Sequence, residues 1–140
     1  MRYTVDASVL VKLIVEEENS ANALKLISMS AEKDLLYAPD IIYYEVGSVL
    51  YKMCKRNVIE QGYAAQAYAM LLQLPLETTS YMRSKILPDI LAMSVKLGMH
   101  FYDCLYIHTA KLTGSTLVTS DQKLQNAARH ECKVISLASI

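Results

Sequence analysis

Tryptophan is absent from this 140-residue chain, phenylalanine occurs once, and only four glycines and three prolines interrupt it. So little Gly and Pro excludes a collagen-like repeat or a Pro-rich linker. With 53% apolar and 20% charged residues, a disordered tail is excluded as well. Long apolar runs are also missing. The longest uncharged stretch, Gln61 to Leu76, holds three Gln and a Pro and falls short of the ~20 apolar residues a membrane helix needs. The run Val9 to Val15 is broken by Lys12 and followed by Glu16, Glu17 and Glu18, which is not the pattern of a signal peptide. The three cysteines, Cys54, Cys104 and Cys132, are odd in number, far apart and without zinc spacing, so they read as buried reduced thiols. A soluble, cytoplasmic protein with no membrane partner is expected. Charge of one sign is lacking too: fourteen basic residues balance fourteen acidic ones, and nothing global announces a nucleic-acid binder.

At this length a chain buries roughly 70% of its unfolded surface, enough for one core without staples. The periodicity predicts an extended run Arg2 to Asp6, a helix Ala7 to Glu17, and a second helix Ser20 to Lys33 with Ala23, Leu24, Ile27 and Ala31 on one face. After the apolar run Leu35 to Ala38, Pro39 and Asp40 mark a helix start. Its stripe is Ile42, Val46, Val49 and Met53, and Lys52, Lys55 and Arg56 lie in the last turn, where the macrodipole favours cations. Further helices are expected over Glu60–Leu74, Ile86–Leu97, Tyr102–Leu112 and Asp121–His130, with Gly98 and Gly114 as stops. Strands are expected over Leu76–Ser80, Thr116–Thr119 and Lys133–Ser136. Alternating short apolar strands and helices mean a single α/β domain with a mostly parallel sheet covered on both faces.

In such sheets ligands bind beyond the carboxyl ends of the strands. Four acids fall there: Asp6 ends the first strand, Asp121 follows the strand ending at Thr119, Asp103 opens a helix, and Glu45 lies in the second turn of the helix that begins near Asp40. Asp6, Asp103 and Asp121 suit N-caps as well as ligand sites. Glu45 resists the capping explanation, because it sits about 60° from the centre of an apolar stripe. No basic residue three or four positions away can pair with it, and an unpaired carboxylate there is costly to desolvate. Four converging carboxylates would repel one another and raise each other's pKa values, and a hard divalent cation such as Mg²⁺ or Mn²⁺ relieves that. Ser8 and Thr119 stand beside the acids as supporting hydroxyls.

The chain resembles the PIN domain family, and more narrowly the VapC-type toxin ribonucleases of bacteria and archaea. The matching segments are Val5-Asp6-Ala7-Ser8-Val9-Leu10, Pro39-Asp40-Ile-Ile-Tyr-Tyr-Glu45-Val46, Tyr102-Asp103-Cys104-Leu105-Tyr106 and Leu117-Val118-Thr119-Ser120-Asp121-Gln122-Lys123-Leu124. The resemblance implies a three-layer α/β/α sandwich with a central, mostly parallel sheet of about five strands. It implies Mg²⁺- or Mn²⁺-dependent endonuclease activity on RNA, with Asp6, Glu45, Asp103 and Asp121 as the acidic quartet and Ser8 and Thr119 as polar neighbours of the metal. It also implies a homodimer neutralised by a small antitoxin whose C-terminal segment enters the acidic cleft. Cys104 stands where a small residue such as Ala is usual, and Cys132 where Gly is frequent.

Other constellations have plainer readings. His100, His108 and His130 have no ligand spacing among them and are expected to be structural or solvated. Tyr43, Tyr44, Tyr51, Tyr63 and Tyr68 suit a core edge or a dimer interface better than base stacking. Setting the four acids aside leaves fourteen basic residues against ten acidic, a positive surround for a negative pit. Lys12, Lys52, Lys55, Arg56, Arg83 and Lys85 are candidates for phosphate contact. GxGxxG and P-loop motifs are lacking. A haloacid-dehalogenase-like phosphatase would want a second Asp where Ser8 stands. The alternatives to a toxin are an RNA-processing nuclease without an antitoxin and a non-catalytic RNA- or protein-binding module on the same fold.

Overall fold

The computed structural model describes residues 1–32 and 35–140. In chain order the elements are β1 (Arg2–Val5), α1 (Ala7–Val11), α2 (Ser20–Glu32), β2 (Leu35–Pro39), α3 (Ile42–Lys55) and α4 (Gln61–Leu71). They continue with β3 (Leu76–Thr79), α5 (Leu87–Leu97), α6 (Phe101–Thr113), β4 (Thr116–Thr119), α7 (Gln122–Ala128), β5 (Val134–Ser136) and a closing 3₁₀ turn, Leu137–Ser139. The expected end of the second helix at Lys33 lies outside the described residues, as does the side chain of Ala31. Among the described residues no helix is long and apolar enough to cross a membrane.

All five strands are parallel, in the order β3-β2-β1-β4-β5. Successive residues of a strand point to opposite faces. Tyr3, Thr4 and Val5 of β1 and all four residues of β4 are buried, so helices cover the sheet on both faces and the expected three layers are present. α6 packs on β1, β2 and β4, α5 lies against α6, and α7 rests on β4 and β5.

Several boundaries and faces differ from expectation for local reasons. α1 ends at Val11 rather than Glu17. Ile14 is buried, and the chain reaches it through tighter i→i+3 bonds from Leu13 to Leu10 and from Ile14 to Val11. In α2 the buried row is Ala23, Leu26, Ile27 and Ser30, while Leu24 is 61% exposed. A stripe centred on Ala23 and Ile27 is completed by Leu26, three residues on from Ala23, and Leu24 turns away. Pro39 closes β2, paired with Thr79, and α3 begins only at Ile42 without a side-chain cap. Glu60 is itself the N-cap of α4, accepting from the Gly62 and Tyr63 amides.

Gly98 and Gly114 end α5 and α6 in the left-handed conformation, both at φ +62°. A Cβ at either position would meet nothing within 4 Å, so the cost of replacing them is purely one of backbone. Gly98→Ala and Gly114→Ala are each expected to destabilise the fold by about 1–2 kcal/mol, a fall of several degrees in Tm. Thermal unfolding followed by circular dichroism checks this, and an unchanged Tm would show that the left-handed caps carry no such load.

Candidate active site

From β1 the chain winds outward through β2 and β3, then returns to place β4 on the other side of β1. The crevice beyond the carboxyl ends of β1 and β4 is the switch point of the sheet, where open α/β folds bind ligands. Val5 and Val118 are in register, which brings the next residues of the two strands, Asp6 and Thr119, side by side.

Asp6 is buried at that seam. It occupies the N-cap position of α1 but makes no side-chain cap bond. Instead the Ser8 hydroxyl donates to its Oδ1 at 2.5 Å and the Thr119 hydroxyl donates to its Oδ2. Both hydroxyls are themselves directed by main-chain groups: the Ser120 N–H donates to Ser8 Oγ at 3.1 Å and the Asp121 N–H donates to Thr119 Oγ1 at 3.0 Å. An amide can only donate, so each hydroxyl accepts from the backbone and points its proton at Asp6.

The other three acids arrive from separate elements. Glu45 lies in the first turn of α3 and heads a row with Val49 and Met53, whose apolar side chains line the same cleft. The expectation that Glu45 flanks the buried face agrees with this, although the fully buried row of α3 is Ile42, Val46 and Leu50. Asp103 is in the first turn of α6 but is not its cap, since His100 holds that position. Asp121 is a true N-cap: its Oδ1 accepts from the Lys123 and Leu124 amides. Asp6, Ser8, Glu45, Asp103 and Asp121 all line one cleft of about 330 Å³, with Tyr106, Lys12 and Glu17.

Crowding and burial act on these groups together. Burial pushes the Asp6 carboxyl up from 3.8 to about 6, against the pull of its two hydroxyl donors, and Asp121 adds to the rise. Burial pushes Glu45 up from 4.5 to about 7. The Tyr106 hydroxyl works the other way, and Asp103 and Asp6 add to the rise. Asp103 is raised by burial and by Asp121, and held back by His100 and Lys123.

Among the described residues no group of three His, Cys, Asp or Glu side chains is disposed to hold a metal ion as it stands. The donor set nevertheless fits a hard divalent cation, since every donor is an oxygen. Three buried side-chain atoms among the described residues lack a hydrogen-bond partner: Glu45 Oε1, the Tyr106 hydroxyl and Ser120 Oγ. Two line this cleft, and the third lies between Thr119 and Asp121. Buried polar atoms left unpaired are costly, and a bound ion would satisfy the Glu45 oxygen.

Of the six basic residues considered for phosphate contact, Lys12 alone is among the described residues lining the cleft. It is ion-paired to Glu17 at 2.9 Å. Lys52, Lys55 and Arg56 lie exposed at the end of α3, whereas Met53 of the same turn lines the cleft, so it is the face of the helix they occupy that keeps them out. His100 is exposed at the N-cap position of α6, as a structural or solvated histidine would be. His108 bonds the Tyr81 hydroxyl at 2.8 Å and His130 is exposed. Tyr63 donates to the Ile14 carbonyl at 2.7 Å and Tyr68 donates to that of Tyr43, fixing the edge of the core, while Tyr44 and Tyr51 are exposed. Tyr106 is a lining residue that sequence reasoning passed over. The i,i+3 spacing from Asp103 to Tyr106 puts both on one face of α6 and could have flagged it.

Because the folded-state pKa values of Asp6 and Glu45 lie above their ordinary values, the fold without metal favours the protonated acids. That stabilisation is complete below about pH 4 and is lost as pH rises through about 6 and 7. For Asp6 alone it amounts to about 3 kcal/mol at most. The Tm without divalent ions is therefore expected to be lower at about pH 8 than at about pH 5. Mn²⁺ should raise it strongly at the higher pH and little at the lower. A Tm that climbs steadily with pH and ignores Mn²⁺ would contradict the crowded arrangement.

Comparison with known proteins agrees with this architecture. Ribonuclease VapC3 of Pyrobaculum aerophilum is 32% identical over 126 residues, spanning 89% of this chain and 92% of the relative. Exonuclease VapC9 of the same organism is 27% identical over 124 residues, 89% of this chain and 84% of the relative. The crystal structure of PAE2754 from P. aerophilum superposes with a TM-score of 0.74 at 23% identity, covering 99% of this chain and 91% of that one. VapBC2 from Rickettsia felis, solved bound to a DNA fragment from its promoter, gives a TM-score of 0.68 at 14% identity, covering 97% and 98%. At these identities the two structures speak for the fold. The family model of the PIN domain matches residues 3–130, and on that match, over a sheet and a cleft of the expected form, this chain belongs to the PIN domain family.

Proposed function

We propose that this protein is a divalent-metal-dependent endoribonuclease and the toxin of a toxin–antitoxin pair. The observation that supports it most is the convergence of Asp6, Glu45, Asp103 and Asp121 on one cleft at the switch point, with a buried Glu45 oxygen left unpaired. The ribonuclease name of the relative that is 32% identical points the same way. In this reading the four carboxylates hold Mg²⁺ or Mn²⁺. When bound, such an ion activates water and neutralises charge on a phosphodiester.

The remaining residues orient and bind. Ser8 and Thr119 aim their protons at Asp6 and so fix its carboxylate toward the cleft. Lys12, on the cleft wall, exchanges Glu17 for a phosphate oxygen of the RNA. Val49 and Met53 exclude bulk water from beside Glu45, which strengthens every charge interaction there.

The test is incubation of the protein with linear and circular RNA in Mg²⁺ or Mn²⁺, beside an Asp103→Asn control. Asp103→Asn should fall to the level of the buffer. Cutting of the circle is expected for an endonuclease, whereas attack on the linear RNA alone would mean digestion from an end. Equal cleavage by both proteins would remove the proposal. Binding of RNA without any cleavage would support a non-catalytic module instead.

For the partner, the support is a second, apolar groove of about 700 Å³ between α2 and α4, walled by Leu24, Ile27, Tyr63, Met70 and Leu71. It shares Lys12 with the acidic cleft. An antitoxin laying an amphipathic segment in this groove can extend a basic residue into the cleft. A small protein encoded beside this chain is expected to copurify with it and to be lost with Leu24→Asp, whose site is exposed and tolerates the change in the free protein. Retention of the partner by that variant would count against the groove. Exposed Tyr44, Tyr51, Leu91 and Val95 supply apolar surface for the proposed homodimer, and three free cysteines suit a reducing cytoplasm.

A further inference from the structure

Tyr106 is 1% exposed, one of the largest fully buried side chains of the described core. Its ring packs inside the molecule, yet its hydroxyl has no hydrogen-bond partner. A phenylalanine would fill the same space without the cost of an unpaired buried hydroxyl. The oxygen is therefore a liability to the fold unless something else uses it.

A second unpaired group belongs to the same cleft. Tyr106 and Glu45 both line the acidic cleft, and Glu45 Oε1 is buried and without a partner. The hydroxyl is close enough to lower the pKa of Glu45, and Glu45 in turn raises that of the tyrosine. A phenol is a donor and a carboxylate an acceptor, and here both are buried at one cleft with neither paired. Asp103 lies one turn before Tyr106 on the same face of α6, so the helix that brings one acid to the cleft also delivers the hydroxyl to another, on α3.

We propose that Tyr106 is a positioning residue: its hydroxyl donates to one oxygen of Glu45 and holds the carboxylate so that the other oxygen meets the divalent cation. The inference rests on the reading of Glu45 as a cation ligand. A carboxylate at the start of a helix has several rotamers, and apolar Val49 and Met53 offer no donor to select one. Tyr106 supplies a donor on the same cleft, and supporting donors of this kind typically change metal affinity by roughly 10–100-fold.

The experiment compares the native protein, Tyr106→Phe, Glu45→Gln and the double variant. Mn²⁺ binding is measured by calorimetry and thermal stability without divalent ions by unfolding. Tyr106→Phe is expected to melt no lower than the native protein, having lost only an unpaired hydroxyl, while binding Mn²⁺ about tenfold more weakly. The double variant should bind no more weakly than Glu45→Gln, because the hydroxyl acts through Glu45. Native-like Mn²⁺ affinity in Tyr106→Phe, a lowered Tm for it, or losses that add in the double variant would each overturn the proposal. A native protein that binds no Mn²⁺ would overturn the metal-site reading along with it. Native binding with an indifferent Tyr106→Phe would overturn only the role of the tyrosine.

Discussion

A carboxylate buried at the end of a central strand needs donors, and Asp6 obtains them from two hydroxyls on opposite sides of the β1–β4 seam. Each hydroxyl is oriented by an amide from the turn between β4 and α7. The bonds therefore tie the start of the chain to a segment more than a hundred residues later. They also fix which way the Asp6 oxygens face. The parallel register of β1 and β4 makes this possible, and the order in which the strands are laid down leaves a crevice at that point and not elsewhere. α3 and α6 then need only present their first turns to the crevice for the remaining acids to converge.

The site is assembled at the expense of local stability. The unpaired buried side-chain atoms found among the described residues are at or beside this cleft, while the core below it is apolar and continuous. Natural folds concentrate such violations where function demands them. The contrast with Asp121 is instructive. Its carboxylate is satisfied by its own helix as well as facing the cleft, so it serves the fold with or without a ligand. Asp6, Glu45 and Asp103 carry the electrostatic strain.

Much of this could be read from the amino acids. Alternating apolar runs announced the parallel sheet, Gly98 and Gly114 marked the two left-handed helix ends, and acids at strand ends located the cleft. The misreadings have physical causes. Leu24 and Leu26 are equally apolar, and only tertiary packing decides which faces the core. Asp103 looked like a cap because Asp favours caps, whereas the chain turns three residues earlier at His100. Lys52, Lys55 and Arg56 sit in the same turn as cleft-lining Met53 but on another face of α3, and charge counting along the chain does not tell the faces apart. Tyr106 was hidden because a buried tyrosine and a buried phenylalanine follow the same apolar pattern; only its unpaired oxygen separates them.

The pairing of β1 with β4 also bears on biosynthesis. A chain emerging from the ribosome as far as α6 already displays Asp6, Glu45 and Asp103, but β1 still has a bare edge and Asp6 lacks Thr119. Neither the last hydroxyl nor the fourth acid exists until translation has passed residue 121. The acidic cleft therefore cannot be completed on a nascent chain before β4 has been made and has paired with β1.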